Sequence, residues 1–184
     1  MVKAGLLGPE SRVELIDGEI LEMSPQDPKH SQGYSRAERA IRSRLPEGLW
    51  LRTQQPLSLG QTSDPEPDLA VIRGSVDDPG RETAHPSSAL LVVEISSTSL
   101  SFDRGVKADL YAAAGIPAYW IVNVSQRQVE AFGEPAESPG TRFGQRYQTR
   151  RILRLGDVVA CPWSPEDLIP VSEFFPPTSK RGTQ

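Results

Sequence analysis

Cysteine is nearly absent from this chain, and its scarcity closes off several chemistries at once. A lone Cys161 in 184 residues has no partner for an internal disulfide and cannot build a cysteine-rich zinc site. It reads as a small, half-buried hydrophobe. No apolar run approaches the ~18 residues that a membrane span needs. The opening MVKAGLLGPESR lacks the apolar core of a signal peptide, so a cytoplasmic protein is expected. An excess of positive charge is missing too: the net charge is −4, which does not announce a nucleic-acid-binding domain. Ser-His-Asp, phosphate-loop and zinc-ligand spacings are all lacking. So are internal repeats and interdomain linkers. The length and the 37% hydrophobic content suit one domain with a real core, over residues 1–175, before a disordered tail at 176–184.

What is present is a pair of acids in the wrong company. Glu66-Pro67-Asp68-Leu69-Ala70-Val71-Ile72 and Leu90-Leu91-Val92-Val93-Glu94-Ile95-Ser96 both read as buried or half-buried strands. Asp68 and Glu94 need compensation there, and a divalent metal would supply it, because hard cations take carboxylate oxygens. Thirteen positions beyond Glu94 stands Lys107. The stretch Asp103–Ala114 reads as a helix, with Asp103 as N-cap and Gly115 as its stop. At about 100° per residue, Lys107 falls in the stripe of Val106, Leu110, Tyr111 and Ala114, while Arg104, Ala108, Asp109 and Ala112 point elsewhere. An inward lysine must snorkel out or meet a negative group. That group is either the strand acids or Asp103, four residues back.

The remaining elements frame these two strands. Val13–Ile16 and Glu19–Met23 flank Asp17-Gly18, a two-residue hairpin signal. A loop at Pro25–Pro28 precedes a helix from Ser31 to Leu45, with Tyr34, Ala37, Ile41 and Leu45 inward and Arg36, Arg39 and Arg42 outward. Trp50–Leu59 reads as strand, with Pro56 at an edge or bulge, and Asp77–Ser88 as loop. Tyr119–Val124 and Val129–Phe132 form a second hairpin, and Glu134–Gly140 is read as irregular. Tyr119 and Trp120 are expected in the core. The class is α/β, or α+β on a stricter count: a central mixed sheet flanked by helices.

EPDLAVI, LLVVEISSTS and DRGVKADLYAAAGIPAYWIV together resemble the Uma2 family, and ELIDGEILEMSP followed by His30 resembles it as well. The resemblance runs over residues 13 to 132. It implies the restriction-endonuclease-like fold of the PD-(D/E)XK nuclease superfamily, whose pattern is Asp, then Glu/Asp-x-Lys. Asp68 matches the first acid and Glu94 the second, but Ser96 occupies the lysine position, leaving Lys107 as the candidate replacement. The implied activity is a Mg²⁺- or Mn²⁺-dependent endonuclease that hydrolyses DNA phosphodiesters. Asp68, Glu94 and the carbonyl of Ile95 would be metal ligands. Lys107 would position the attacking water or neutralise developing charge. A catalytically inactive nucleic-acid-binding or interaction module on the same fold, or a hydrolase of smaller phosphoesters, is the alternative. Nucleic acid, DNA in the first instance, is the expected partner, and a homodimer stays open.

Accessory roles are divided. Glu19 is a further acid or a solvated strand residue. His30 orients a catalytic group, contacts phosphate, or bonds the helix start. Asn123 stands where the family has a frequent Asp. Sixteen of the twenty basic residues are arginine, and they concentrate on the first helix and between Glu137 and Asp157. There Arg146 and Arg150, with Arg142, Arg151 and Arg154, interleave with Phe143 and Tyr147. Arg36, Arg39, Arg42, Arg146 and Arg150 are the expected nucleic-acid contacts, unless these are plain solvated faces.

Overall fold

The computed structural model describes residues 13–23, 27–75, 77 and 85–177. Most of the loop read at Asp77–Ser88, part of that at Pro25–Pro28, and all but the first two residues of the tail lie outside them. Six strands form one mixed sheet in the order β3-β4-β5-β6-β7-β8: β3 Leu49–Thr53, β4 Leu69–Arg73, β5 Leu91–Ser96, β6 Ala118–Asn123, β7 Gln128–Glu137 and β8 Gln145–Arg154. Only β5 and β6 run parallel. The chain between them is helical: α2 Leu100–Phe102, a π turn at Asp103–Lys107, and α3 Ala108–Ala113. The fold is α+β.

Both faces of the central strands are buried, which explains why β4, β5 and β6 carry near-continuous apolar runs rather than alternation. One face packs Val93, Ile95, Trp120 and Val122 against helix α1 (Pro28–Arg42), near Ala37 and Ile41. The other packs Val92, Tyr119 and Ile121 against Leu110 and Tyr111 of α3. Tyr119 and Trp120 are thus core residues on opposite faces. Outside the sheet, β1 (Val13–Ile16) and β2 (Glu19–Glu22) form the expected hairpin. Asp17 at φ 53° and Gly18 at φ 81° adopt the left-handed pair that a tight hairpin turn requires.

Several boundaries differ from the sequence reading. Helix α1 begins three residues early because Asp27 caps it, accepting from the Lys29 and His30 amides at 2.8 Å each, with Pro28 at the first helical position. It ends at Arg42, before the Leu45-Pro46 step that disfavours helix. Strand β3 stops at Thr53, where Gln54 turns to φ 48°, so Pro56 lies beyond it. The Glu134–Gly140 stretch is not irregular throughout, since β7 continues to Glu137 with Pro135 opposite Tyr147. Past Gly133 β7 has β8 as its one paired neighbour, so a proline without an N–H is tolerated. A last hairpin, β9 (Val158–Cys161) with β10 (Ser164–Pro170), had no clear pattern in the sequence; Cys161 is buried in it.

Candidate active site

The two strand acids meet at the mouth of the sheet. Asp68 immediately precedes β4, and Glu94 sits near the end of β5, its neighbour. Backbone groups bind them together. The Ile95 amide donates to Asp68 Oδ2 at 2.8 Å, and the Asp68 amide lies 3.4 Å from Glu94 Oε2. Both side chains line a cavity of about 410 Å³, shared with Glu14, Leu21, His30, Ile95, Phe102, Asp103 and Lys107.

Lys107 reaches this cavity from the helical segment, as its place in the apolar stripe required. Its ammonium donates to Glu94 Oε1 at 2.9 Å and lies 3.1 Å from Glu14 Oε2. The helix is built differently from expectation, however. Asp103 does not cap it, because helix begins at Leu100; instead Asp103 opens the π turn and accepts from the Ser99 hydroxyl at 2.6 Å. Asp103 and Lys107, four residues apart at the two ends of the π turn, both turn inward. Ala108, Asp109 and Ala112, expected to point away, are buried too, because β8 covers that flank and Arg146 pairs with Asp109.

Electrostatics follow from burial. Removal from water pushes the Glu94 carboxyl up to about 8, against the pull of Lys107 and with help from Asp68, Asp103 and Glu14. Asp103 is raised for the same first reason, opposed by Lys107 and Ser99. Burial alone would strip the proton from Lys107, but Glu94, Glu14 and Asp103 reverse this and hold its pKa above the ordinary lysine value. Tyr111, buried against Glu94, donates to Oε1 at 2.7 Å and has its pKa well raised by burial. Lys107 is therefore held as a cation among four acidic side chains, Glu14, Asp68, Glu94 and Asp103.

The other expected residues divide. His30, in the first turn of α1, places Nε2 3.1 Å from Asp68 Oδ2. Ser96 is buried with its hydroxyl 3.5 Å from that of Ser99. Glu19 is not brought in: its side chain is 64% exposed and pairs with Arg142 on the outer side of the hairpin. Glu14 takes the inward place instead. It shares a strand face with buried Ile16, so strict alternation along β1 marks it. Tyr111 is legible in the sequence only as an apolar stripe residue, and Asp103 only as an N-cap or as a partner of Lys107 four residues on. Of the arginines, Arg36 is half-buried on α1, Arg39 and Arg42 are exposed, and Arg42 bonds Glu38 at 2.8 Å. Arg146 is held by Asp109 at 3.2 Å and Arg150 by Glu130 at 2.7 Å.

This arrangement can be set beside known proteins. The model of the Uma2 family, described as "putative restriction endonuclease", matches residues 4–169. The chain belongs to the Uma2 family. A crystal structure of a "putative nuclease belonging to DUF820" from Anabaena variabilis superposes with a TM-score of 0.67 at 16% identity, covering 94% of each chain, which shows a shared fold. No curated protein matches this Uma2 chain. No helix among its described residues is long and apolar enough to cross a membrane.

The donor set fits a hard cation that keeps much of its water. Among the described residues no three His, Cys, Asp or Glu side chains form a ready metal cage. Two carboxylates in an open, acid-rich cleft are nonetheless what Mg²⁺ commonly takes alongside its waters. Glu94 Oε1 takes the Lys107 and Tyr111 donors and Asp68 Oδ2 the Ile95 amide with His30 beside it, whereas Glu94 Oε2 and Asp68 Oδ1 carry only longer contacts of 3.4 Å, from the Asp68 backbone amide and the Gln54 side-chain amide.

Proposed function

We propose that this Uma2 protein is a metal-dependent endonuclease of the PD-(D/E)XK type, hydrolysing DNA phosphodiesters at the Asp68–Glu94–Lys107 cleft. The observation that carries the reading is the convergence of those three side chains in one solvent-reachable cavity. Nothing structural requires it: a purely apolar core would avoid three such charges. Mg²⁺ or Mn²⁺, held by Asp68, Glu94 and the Ile95 carbonyl, would supply charge at the scissile phosphate and a water acidic enough to ionise near neutral pH.

The chain's own residues do the rest. His30 and the Ile95 amide hold Asp68 through Oδ2, and Gln54 steadies Oδ1 from 3.4 Å. Tyr111 and Lys107 do the same for Glu94 through Oε1. Because Lys107 stays protonated, it acts as a cation and donor to phosphate oxygen, not as a base. It thus fills the role left open by Ser96, and reaches the same cleft from the helix rather than from β5.

The test is nicking of supercoiled plasmid by purified protein with Mg²⁺, with Mn²⁺ and with EDTA. Cleavage confined to the metal-containing reactions, and lost in Asp68→Asn, is expected. Salt-sensitive DNA binding with no cleavage under any condition would make the protein a binding module instead.

A further inference from the structure

A second charged cluster stands beside the cleft. Glu94, Ile121 and Glu130 lie directly opposite one another across β5, β6 and β7. Their side chains therefore rise from the same face, and two strand spacings put Glu130 about 10 Å from Glu94. Glu130 is wholly buried, yet carries two cations rather than one. Arg104, from the π turn that also bears Lys107, donates through Nε at 2.9 Å and through Nη2. Arg150, from β8, donates through Nε at 3.2 Å and Nη2 at 2.7 Å. Gln128 and Asn123 add side-chain amides at 3.1 and 3.4 Å.

The balance of charge distinguishes this cluster from a structural ion pair. One arginine would neutralise Glu130; the second leaves a surplus of one positive charge. That surplus sits on side chains 32% and 40% exposed: Arg104 is held by a bidentate pair on both Glu130 oxygens, and Arg150 by two donors to Oε2 and by the Phe132 ring 5.6 Å away. In each guanidinium the edge bearing Nη1 is turned away from Glu130. Two fixed forks with net positive charge at the surface suit a phosphate.

We propose that Arg104 and Arg150, locked on Glu130, form a second phosphate subsite that takes a backbone phosphate of the nucleic-acid strand beside the cleft. The subsite rests on the nuclease reading for its substrate, and its two arginines are positioning residues that do not touch the reacting bond.

The test is binding of a labelled duplex oligonucleotide in EDTA, titrated with salt, for wild type, Arg104→Gln and Arg150→Gln. Each variant should lose about one unit of the slope of log affinity against log salt, and in metal should raise KM with kcat little changed. Variants that keep the wild-type slope, or a wild type with no salt-dependent binding, would overturn the subsite. Wild-type binding through these arginines without any cleavage leaves the subsite standing and sinks the nuclease reading. Should either variant melt early, phenylglyoxal labelling of the wild type decides. DNA should protect Arg104 and Arg150 but not Arg44, which follows α1 on the other face. Equal labelling with and without DNA refutes the subsite.

Discussion

In the proposed nuclease Asp68 is the residue on which the chemistry turns, and its carboxylate can be neutralised without changing its shape. Asp68→Asn keeps the shape and an acceptor for the Ile95 amide but removes an anionic ligand. Metal-dependent nicking should fall at least ~100-fold while metal-free DNA affinity holds, as a gel-shift series beside the plasmid assay would reveal. Lys107 behaves in the opposite way. Its ammonium is buried between Glu94 and Glu14, so Lys107→Ala strands two carboxylates without a counter-charge. Denaturant melts should register a loss of about 3–5 kcal/mol. An unchanged midpoint would mean that the pair is not buried as described.

At the scale of elements, the approach of α1 to the sheet is set by one missing side chain. A Cβ on Gly33 would lie 2.7 Å from Val124 Cγ1 and 3.0 Å from Ile95 Cγ2. Gly33 is helical, so alanine gains helix propensity there but forces the helix off β5 and its neighbours. Gly33→Ala should destabilise by about 1–3 kcal/mol, and lifting α1 should loosen His30 from Asp68 and depress cleavage more than it depresses DNA binding. Kinetics combined with a melt would check both. The helical segment after β5 follows the same logic. Asp103 and Lys107 share the cleft from one side of its π turn, while Arg104 between them turns to Glu130.

The chain carries a net charge of −4, and its cleft gathers Glu14, Glu66, Asp68, Glu94 and Asp103 about Lys107, so its stability should respond to pH and to cations together. Glu94 holds its proton up to about pH 8 when folded, against an ordinary value of 4.5. Folding therefore takes up a proton between those limits, and the stability that Glu94 contributes is present at low pH and lost as pH rises through about 8. Asp103, also raised, acts in the same direction. In EDTA the melting temperature should decline over this window, and Glu94→Gln should flatten the decline. A cation competes with that proton, so Mg²⁺ should raise the melting temperature more at pH 8.5 than at pH 6. Equal metal effects at both values would argue against Glu94 as a ligand.

Much of this was legible in the residues alone. Asp68 and Glu94 stood out because carboxylates are rare in continuous apolar strands, and Lys107 because helical periodicity is local enough to survive even a π turn. The Asp17-Gly18 hairpin followed from backbone sterics, which need no partner. Other features depended on contacts distant in sequence. Alternation along β1 and the helical stripe turn Glu14 and Tyr111 inward, but that both meet Lys107 and Glu94 depends on packing between distant elements. Asp109 is buried because β8, some forty residues later, lies across α3. The arginines between Glu137 and Asp157 read as one basic run, but strand geometry parts them: Arg146 goes to Asp109 and Arg150 to Glu130. Local propensity and burial pattern are properties of a segment, and the sequence determines them. Which charges neutralise one another is settled by strand order and register, which only the assembled sheet decides.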